Sequence, residues 1–102
     1  MKIIKCLSEL IEEELNDAQK YVDLAIKWKQ EEPETAELFY TLSTEEMGHA
    51  DKLHQEEKDL ISEYRDKNGE PPKDMMVLYE YLHEKHIGRA TEIKVKQGMF
   101  KA

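Results

Sequence analysis

Strong helix breakers interrupt this chain at only two places, and their positions limit the fold to a few long helices. Pro33 is the first breaker, and the run from Asn68 to Pro72 is the second. Proline suits the first turn of a helix, where no hydrogen bond needs its missing N–H, whereas Asn-Gly followed by two prolines ends a helix. The sequence therefore predicts three helices, at about 3–31, 34–66 and 73–97.

The composition favours an all-α fold formed by one domain. Ala, Glu, Lys, Leu and Arg supply almost half of the 102 residues, as they do in long helices and coiled coils. A chain of this length holds one hydrophobic core, so residues 1–102 are predicted to form a single domain. Because 37% of the residues are charged and 39% are hydrophobic, we expect that core to be a narrow seam between helices.

The charge balance indicates which partners to expect. A net charge of −8 repels phosphate backbones and anionic lipid surfaces, so we expect cations as ligands and neither nucleic acid nor membrane as a partner. The single cysteine, Cys6, excludes an internal disulfide and a Cys-x-x-Cys metal knuckle. No apolar run has the length of a signal peptide or a membrane span, which predicts a cytoplasmic location.

Apolar residues recur at alternating steps of three and four in each segment, which predicts one buried stripe per helix. Polar residues interrupt the stripes, and an ionised carboxylate among them is costly to bury unless an opposite charge offsets it. The predicted stripes are Ile4, Leu7, Ile11, Glu14, Ala18, Tyr21, Ala25 and Trp28; Phe39, Leu42, Glu46, His49, Leu53 and Leu60; and Met76, Tyr79, His83, His86, Ala90 and Ile93.

A carboxylate and an imidazole share one face of the second predicted helix. Glu46 and His49 are three residues apart, so their oxygen and nitrogen atoms can bind the same metal ion. Helical bundles hold two metal ions with Glu-x-x-His on two helices and a Glu on each of the other two. With Glu14 on the preceding helix, the sequence predicts Glu14, Glu46 and His49 as metal ligands. Alternatively, both glutamates lie at the stripe's edge and reach solvent.

These residues resemble the ferritin-like superfamily, which includes ferritins, rubrerythrins and encapsulated ferritins. In that family a ligand Glu of the first helix is followed seven residues later by a Tyr, as Glu14 and Tyr21 are here. The second helix carries Glu-x-x-His and then a small residue, as Glu46, His49 and Ala50 do here. The resemblance implies iron bound by Glu14, Glu46 and His49, with Glu46 bridging two irons and Tyr21 as the catalytic tyrosine beside them.

Ferritins and rubrerythrins have four helices, whereas this chain is predicted to have three and lacks the cysteines of a rubredoxin domain. The resemblance therefore implies a homodimer or higher homo-oligomer, in which two antiparallel hairpins complete a four-helix di-iron core and the third helix packs outside it. The implied activity is oxidation of Fe(II) by oxygen or peroxide, as a ferroxidase or in peroxide detoxification within iron homeostasis. Zinc or manganese in the same ligands stays open.

Two alternatives to that reading stay open. In the first, Glu80 and His83 form a second Glu-x-x-His and, with His86 one turn later, supply ligands from the third helix. In the second, the chain is a non-enzymatic helical oligomerisation module without a functional metal site. His83 and His86 would then pack beside Tyr79 or contact a neighbouring subunit. His54 is expected to be solvated because polar residues follow it.

Overall fold

Three α-helices and no strands make up the protein in its computed structural model, which describes all of residues 1–102. The helices are α1 (Lys2–Trp28), α2 (Pro33–Asn68) and α3 (Lys73–Lys101), so the predicted three-helix all-α architecture is confirmed. The first helix ends at Trp28 rather than near residue 31, and the third continues to Lys101 rather than ending near 97. None of the three is long and apolar enough to cross a lipid bilayer.

The first two helices form an antiparallel hairpin. Pro33 occupies the first turn of α2, as predicted. Near the turn, the buried Ser43 hydroxyl donates a 2.7 Å hydrogen bond to the Ala18 carbonyl oxygen. Towards the other end, the Ser8 hydroxyl donates a 2.5 Å hydrogen bond to the Glu57 carboxylate. Residue numbers therefore rise along α1 as they fall along α2.

The third helix returns alongside the first. Gly69 makes the turn after α2 with a φ of 80°, which glycine adopts without a steric penalty, and its N–H donates to the Arg65 carbonyl oxygen at 3.0 Å. At the far end of α3, Lys29 donates a 2.5 Å hydrogen bond to the Phe100 carbonyl oxygen. The result is a rod of 56 × 19 × 17 Å, in which α3 packs chiefly against α1 and approaches α2 at few points.

The buried stripe of α1 contains most of the predicted residues, whereas the buried stripe of α2 is shifted by one residue from the predicted one. Leu15 and Val22 are buried on α1, whereas their neighbours Glu14 and Tyr21 are only half-buried. One residue corresponds to about 100° around a helix, so Glu14 lies at the edge of the seam rather than in it. His49 is exposed, which corrects its predicted place on the α2 stripe. The buried residues of α2 are Ala36, Ser43, Met47, Ala50, Glu57 and Ile61.

Candidate metal site and a buried histidine cluster

Two carboxylates and one imidazole meet between α1 and α2. Glu14, Glu46 and His49 each place one ligand atom within 4.8 Å of the others. His49 Nδ1 lies 3.4 Å from Glu14 Oε2 and 3.6 Å from Glu46 Oε2. Helical spacing brings Glu46 and His49 together, and the antiparallel hairpin brings Glu14 to them across 32 residues of chain.

One oxygen of this group lacks a hydrogen-bond partner. Glu14 Oε2 is buried and accepts no hydrogen bond, although His49 Nδ1 is 3.4 Å away, because the geometry of that approach is unsuitable. Glu14 and Glu46 have side chains 26% and 20% exposed, and that of His49 is 55% exposed. Buried polar atoms are nearly always paired, so an unpaired carboxylate oxygen beside a second carboxylate and an imidazole fits a cation ligand set.

Exposed leucines lie on the same face of the hairpin as this group. On α1, Leu10 precedes Glu14 by four residues and is exposed, and Tyr21 follows it by seven and is half-buried. The Tyr21 ring stacks on Phe39 of α2, with ring centroids 6.5 Å apart. Leu38 on α2, three turns before His49, is also exposed. Two exposed leucines and a half-buried tyrosine therefore lie along the face of the hairpin that carries the carboxylates.

The three possible ligands of α3 do not join this group. Glu80 is exposed, and neither His83 nor His86 has a ligand atom in the Glu14, Glu46 and His49 cluster. The His83 ring stacks instead on Tyr79, with centroids 5.8 Å apart and an interplanar angle of 3°. The alternative of packing beside Tyr79 is thus the one that the structure shows for His83.

A second polar cluster lies between α2 and α3, and sequence reasoning missed it. His54 stacks on His83 with centroids 4.2 Å apart, so the prediction that it is solvated is wrong. Its Nδ1 lies 3.6 Å from Oε1 of Glu57, which is 2% exposed and accepts the hydrogen bond from Ser8. Helical spacing is the sequence signal that places Glu57 on the buried face, because Glu57 follows the buried Ala50 by seven residues.

Burial shifts the titration of this cluster towards neutral forms. It raises the pKa of Glu57, while the hydrogen bond from Ser8 acts against that rise. It lowers the pKa of His54, His83 and His86, in each case as the largest cause. Both effects follow from the cost of placing a charge away from water. Burial therefore favours the neutral form of all three histidines.

The fold and the site together define a three-helix bundle with a Glu-Glu-His group between two antiparallel helices. No protein-family model, curated protein or solved structure matches this chain. Inference about its function therefore depends on the geometry and chemistry of its own side chains.

Proposed function

We propose that this chain is a ferritin-like di-iron protein that binds Fe(II) and oxidises it with oxygen or peroxide, as a ferroxidase or in peroxide detoxification. The observation that carries the proposal is the buried, unpartnered Oε2 of Glu14, next to the imidazole of His49 and the carboxylate of Glu46. Carboxylate oxygen and imidazole nitrogen suit iron, and they also accept zinc or manganese. The role proposed for the protein is in iron homeostasis.

The proposal includes a homodimer. One hairpin provides two carboxylates and one imidazole, which is half of the ligand set that helical bundles use for two metal ions. A twofold axis beside the site would supply the other half from a second copy. The exposed Leu10 and Leu38 support this arrangement, because they lie on the same face as the ligands and would be buried by a second hairpin.

Each side chain of the proposed iron site has a role that follows from its chemistry. The carboxylates of Glu14 and Glu46 would hold the cations and offset the repulsion between them, with Glu46 as the ligand that the resemblance assigns to both. His49 supplies a nitrogen ligand, and its exposure leaves the site accessible from solvent. Tyr21 lies on the same face of α1 as Glu14, where its phenol can donate a hydrogen bond inside the completed core. Fe(II) would be the substrate at these ligands, losing one electron to become Fe(III), with oxygen or peroxide as the electron acceptor.

An anaerobic Fe(II) titration of metal-free protein tests the proposal, with molar mass measured by light scattering on the same samples. A site shared across a dimer gives about one tight iron ion per chain. Glu46→Gln and His49→Ala should each abolish tight binding without loss of helicity. Glu45→Gln is the matched control, because Glu45 is the exposed neighbour of Glu46 and belongs to no ligand group.

The other outcomes would overturn the proposal in different ways. About two tight iron ions per monomer, both lost in Glu46→Gln, would indicate a complete site within one chain, with ligands from α3. No tight iron in a stable oligomer would favour the helical oligomerisation module. Zinc or manganese that binds tightly, is lost in Glu46→Gln and His49→Ala, and is accompanied by no iron oxidation would keep the ligands and change the metal. Binding that survives in both variants would place the iron elsewhere.

A further inference from the structure

A cavity of about 220 Å³ opens between α2 and α3 on the other side of the hairpin. It exists because both helices pack against α1 and approach each other at few points. Six of the ten side chains that line it are hydrophobic. The four others are Asp51 and His54 from α2, and His83 and His86 from α3. Three imidazoles and a carboxylate thus line one space, with their ligand atoms farther apart than those of Glu14, Glu46 and His49.

We propose that this cavity is a second metal site, which takes one divalent ion of the zinc class with His54, His83, His86 and Asp51 as ligands. Asp51 and His54 are three residues apart on α2, as are His83 and His86 on α3, so each pair lies on adjacent turns facing the cavity. Three imidazole nitrogens and one carboxylate oxygen form a tetrahedral donor set that suits Zn²⁺. The site is independent of the iron site.

His86 provides evidence that is independent of this spacing. His86 is only 9% exposed, lines the cavity and makes no hydrogen bond within the protein. Its two ring nitrogens are not fully buried, since the one buried side-chain N or O atom without a hydrogen-bond partner is Glu14 Oε2. A metal ion in the cavity would give its nitrogen a partner.

Glu57 stands where an outer partner of a metal-binding histidine is expected. His54 Nδ1 lies 3.6 Å from Glu57 Oε1, which leaves Nε2 of the same ring for the metal. Metal-bound histidines commonly direct their other nitrogen to a carboxylate, which fixes the ring. The hydrogen bond from Ser8 holds Glu57 in place.

Metal binding requires one local rearrangement. The His54 and His83 rings are stacked 4.2 Å apart with an interplanar angle of 11°. A metal ion lies near the plane of each imidazole that binds it, so these two rings have to turn out of the stack to share one ion. The ion would then tie α2 to α3, where direct packing between the helices is sparse.

The two sites lie at different angular positions around α2. Asp51 follows His49 by two residues, which is about 200° around a helix. The His49 and Asp51 side chains therefore face opposite sides of α2. This separation allows each site to be removed without touching the other.

Calorimetric titration of the full chain with Zn²⁺ tests the proposal in a Glu46→Gln/His49→Ala background, which removes the proposed iron ligands. We expect about one zinc ion per chain to remain. Adding His83→Gln or His86→Gln should weaken that binding by at least about 100-fold, and adding Glu57→Gln by about 10- to 100-fold. Lys85→Gln is the matched control, because Lys85 lies between the two ligands and is exposed.

Nitrogen-15 spectra of the histidine rings in the unsubstituted protein give a second readout that does not depend on how any variant folds. Zinc should shift one ring nitrogen each in His54, His83 and His86. Zinc binding that is equal in the His86→Gln variant and its parent, no zinc binding in the background variant, or spectra of these rings that zinc leaves unchanged would each overturn the proposal. Failure of the iron titration would leave these results unaffected.

Discussion

Replacing Glu14 by Gln should stabilise the protein in the presence of a chelator and abolish its stabilisation by iron. The wild-type carboxylate buries an oxygen that has no hydrogen-bond partner and that lies beside a second carboxylate, from Glu46. An unsatisfied buried polar group costs about 1–3 kcal/mol. Because the Glu14 side chain is 26% exposed, the lower end of that range applies, about 1 kcal/mol.

The amide of Gln can donate a hydrogen bond to Glu46 and removes the like-charge repulsion, so most of that cost should be recovered. For a domain of about 100 residues, 1 kcal/mol corresponds to a rise in Tm of about 4–8 °C. Fe(II) at about 100 times its Kd should stabilise the wild type by about 2.7 kcal/mol. The same Fe(II) concentration should leave Glu14→Gln unchanged, because the ligand set is incomplete.

Urea unfolding followed by far-ultraviolet circular dichroism measures both effects at a single protein concentration. The measurement is made anaerobically near pH 8, where histidine is neutral. Glu13→Gln is the control, because Glu13 is the exposed neighbour on α1 and its replacement should change neither quantity. Destabilisation of Glu14→Gln in chelator would show that the carboxylate has a structural role. Undiminished stabilisation of that variant by iron would exclude Glu14 as a ligand.

Three further predictions follow from the helix packing. Leu15→Ala should lower the free energy of unfolding by about 2–5 kcal/mol, because Leu15 is fully buried in the core. Val77→Ala should change the free energy of unfolding little, because Val77 is exposed, and urea titrations compare the two variants. Ser43→Ala should lower the free energy of unfolding by about 1 kcal/mol. Its hydroxyl joins all three helices, because it donates a hydrogen bond to Ala18 and accepts one from Gln97 at 2.9 Å. Thermal unfolding tests this, with Thr41→Ala at an exposed site as the control. Burial lowers the pKa of His83 below 6.5, so below pH 6.5 the unfolded chain binds more protons than the folded one. Stability in chelator should therefore fall as the pH drops towards the pKa of His83 in the folded protein. His83→Phe should lose less stability than the wild type between about pH 7 and pH 5, and an equal loss would contradict the assignment.

The histidine cluster also contains a group that acts in the opposite direction. Burial raises the pKa of Glu57 above 4.5, so the folded protein binds more protons there than the unfolded chain. The stability due to Glu57 is complete below pH 4.5 and is lost as the pH rises through its folded pKa. Both proteins retain Glu57, but His83 lowers the pKa of Glu57, so the comparison of His83→Phe with the wild type reports the loss of the histidine together with a further rise in the pKa of Glu57.

The number and order of the helices were determined by the sequence, because the signals concerned are local. A helix depends on contacts three and four residues apart and ends where proline or a left-handed residue interrupts it. Pro33 and Gly69 accordingly lie where they were expected. The spacing of Glu46 and His49 is equally local, so their proximity follows from helix geometry alone.

Tertiary structure decided which edge of each stripe is buried and which side chains meet across helices. Neighbours such as Glu14 and Leu15 differ by about 100° of rotation, and only the packing of α1 against two partners selects Leu15 for the core. The position of α3 likewise covers His54 and leaves His49 exposed. Sequence periodicity does not predict which of these side chains are buried, because their burial depends on contacts between residues far apart in the chain.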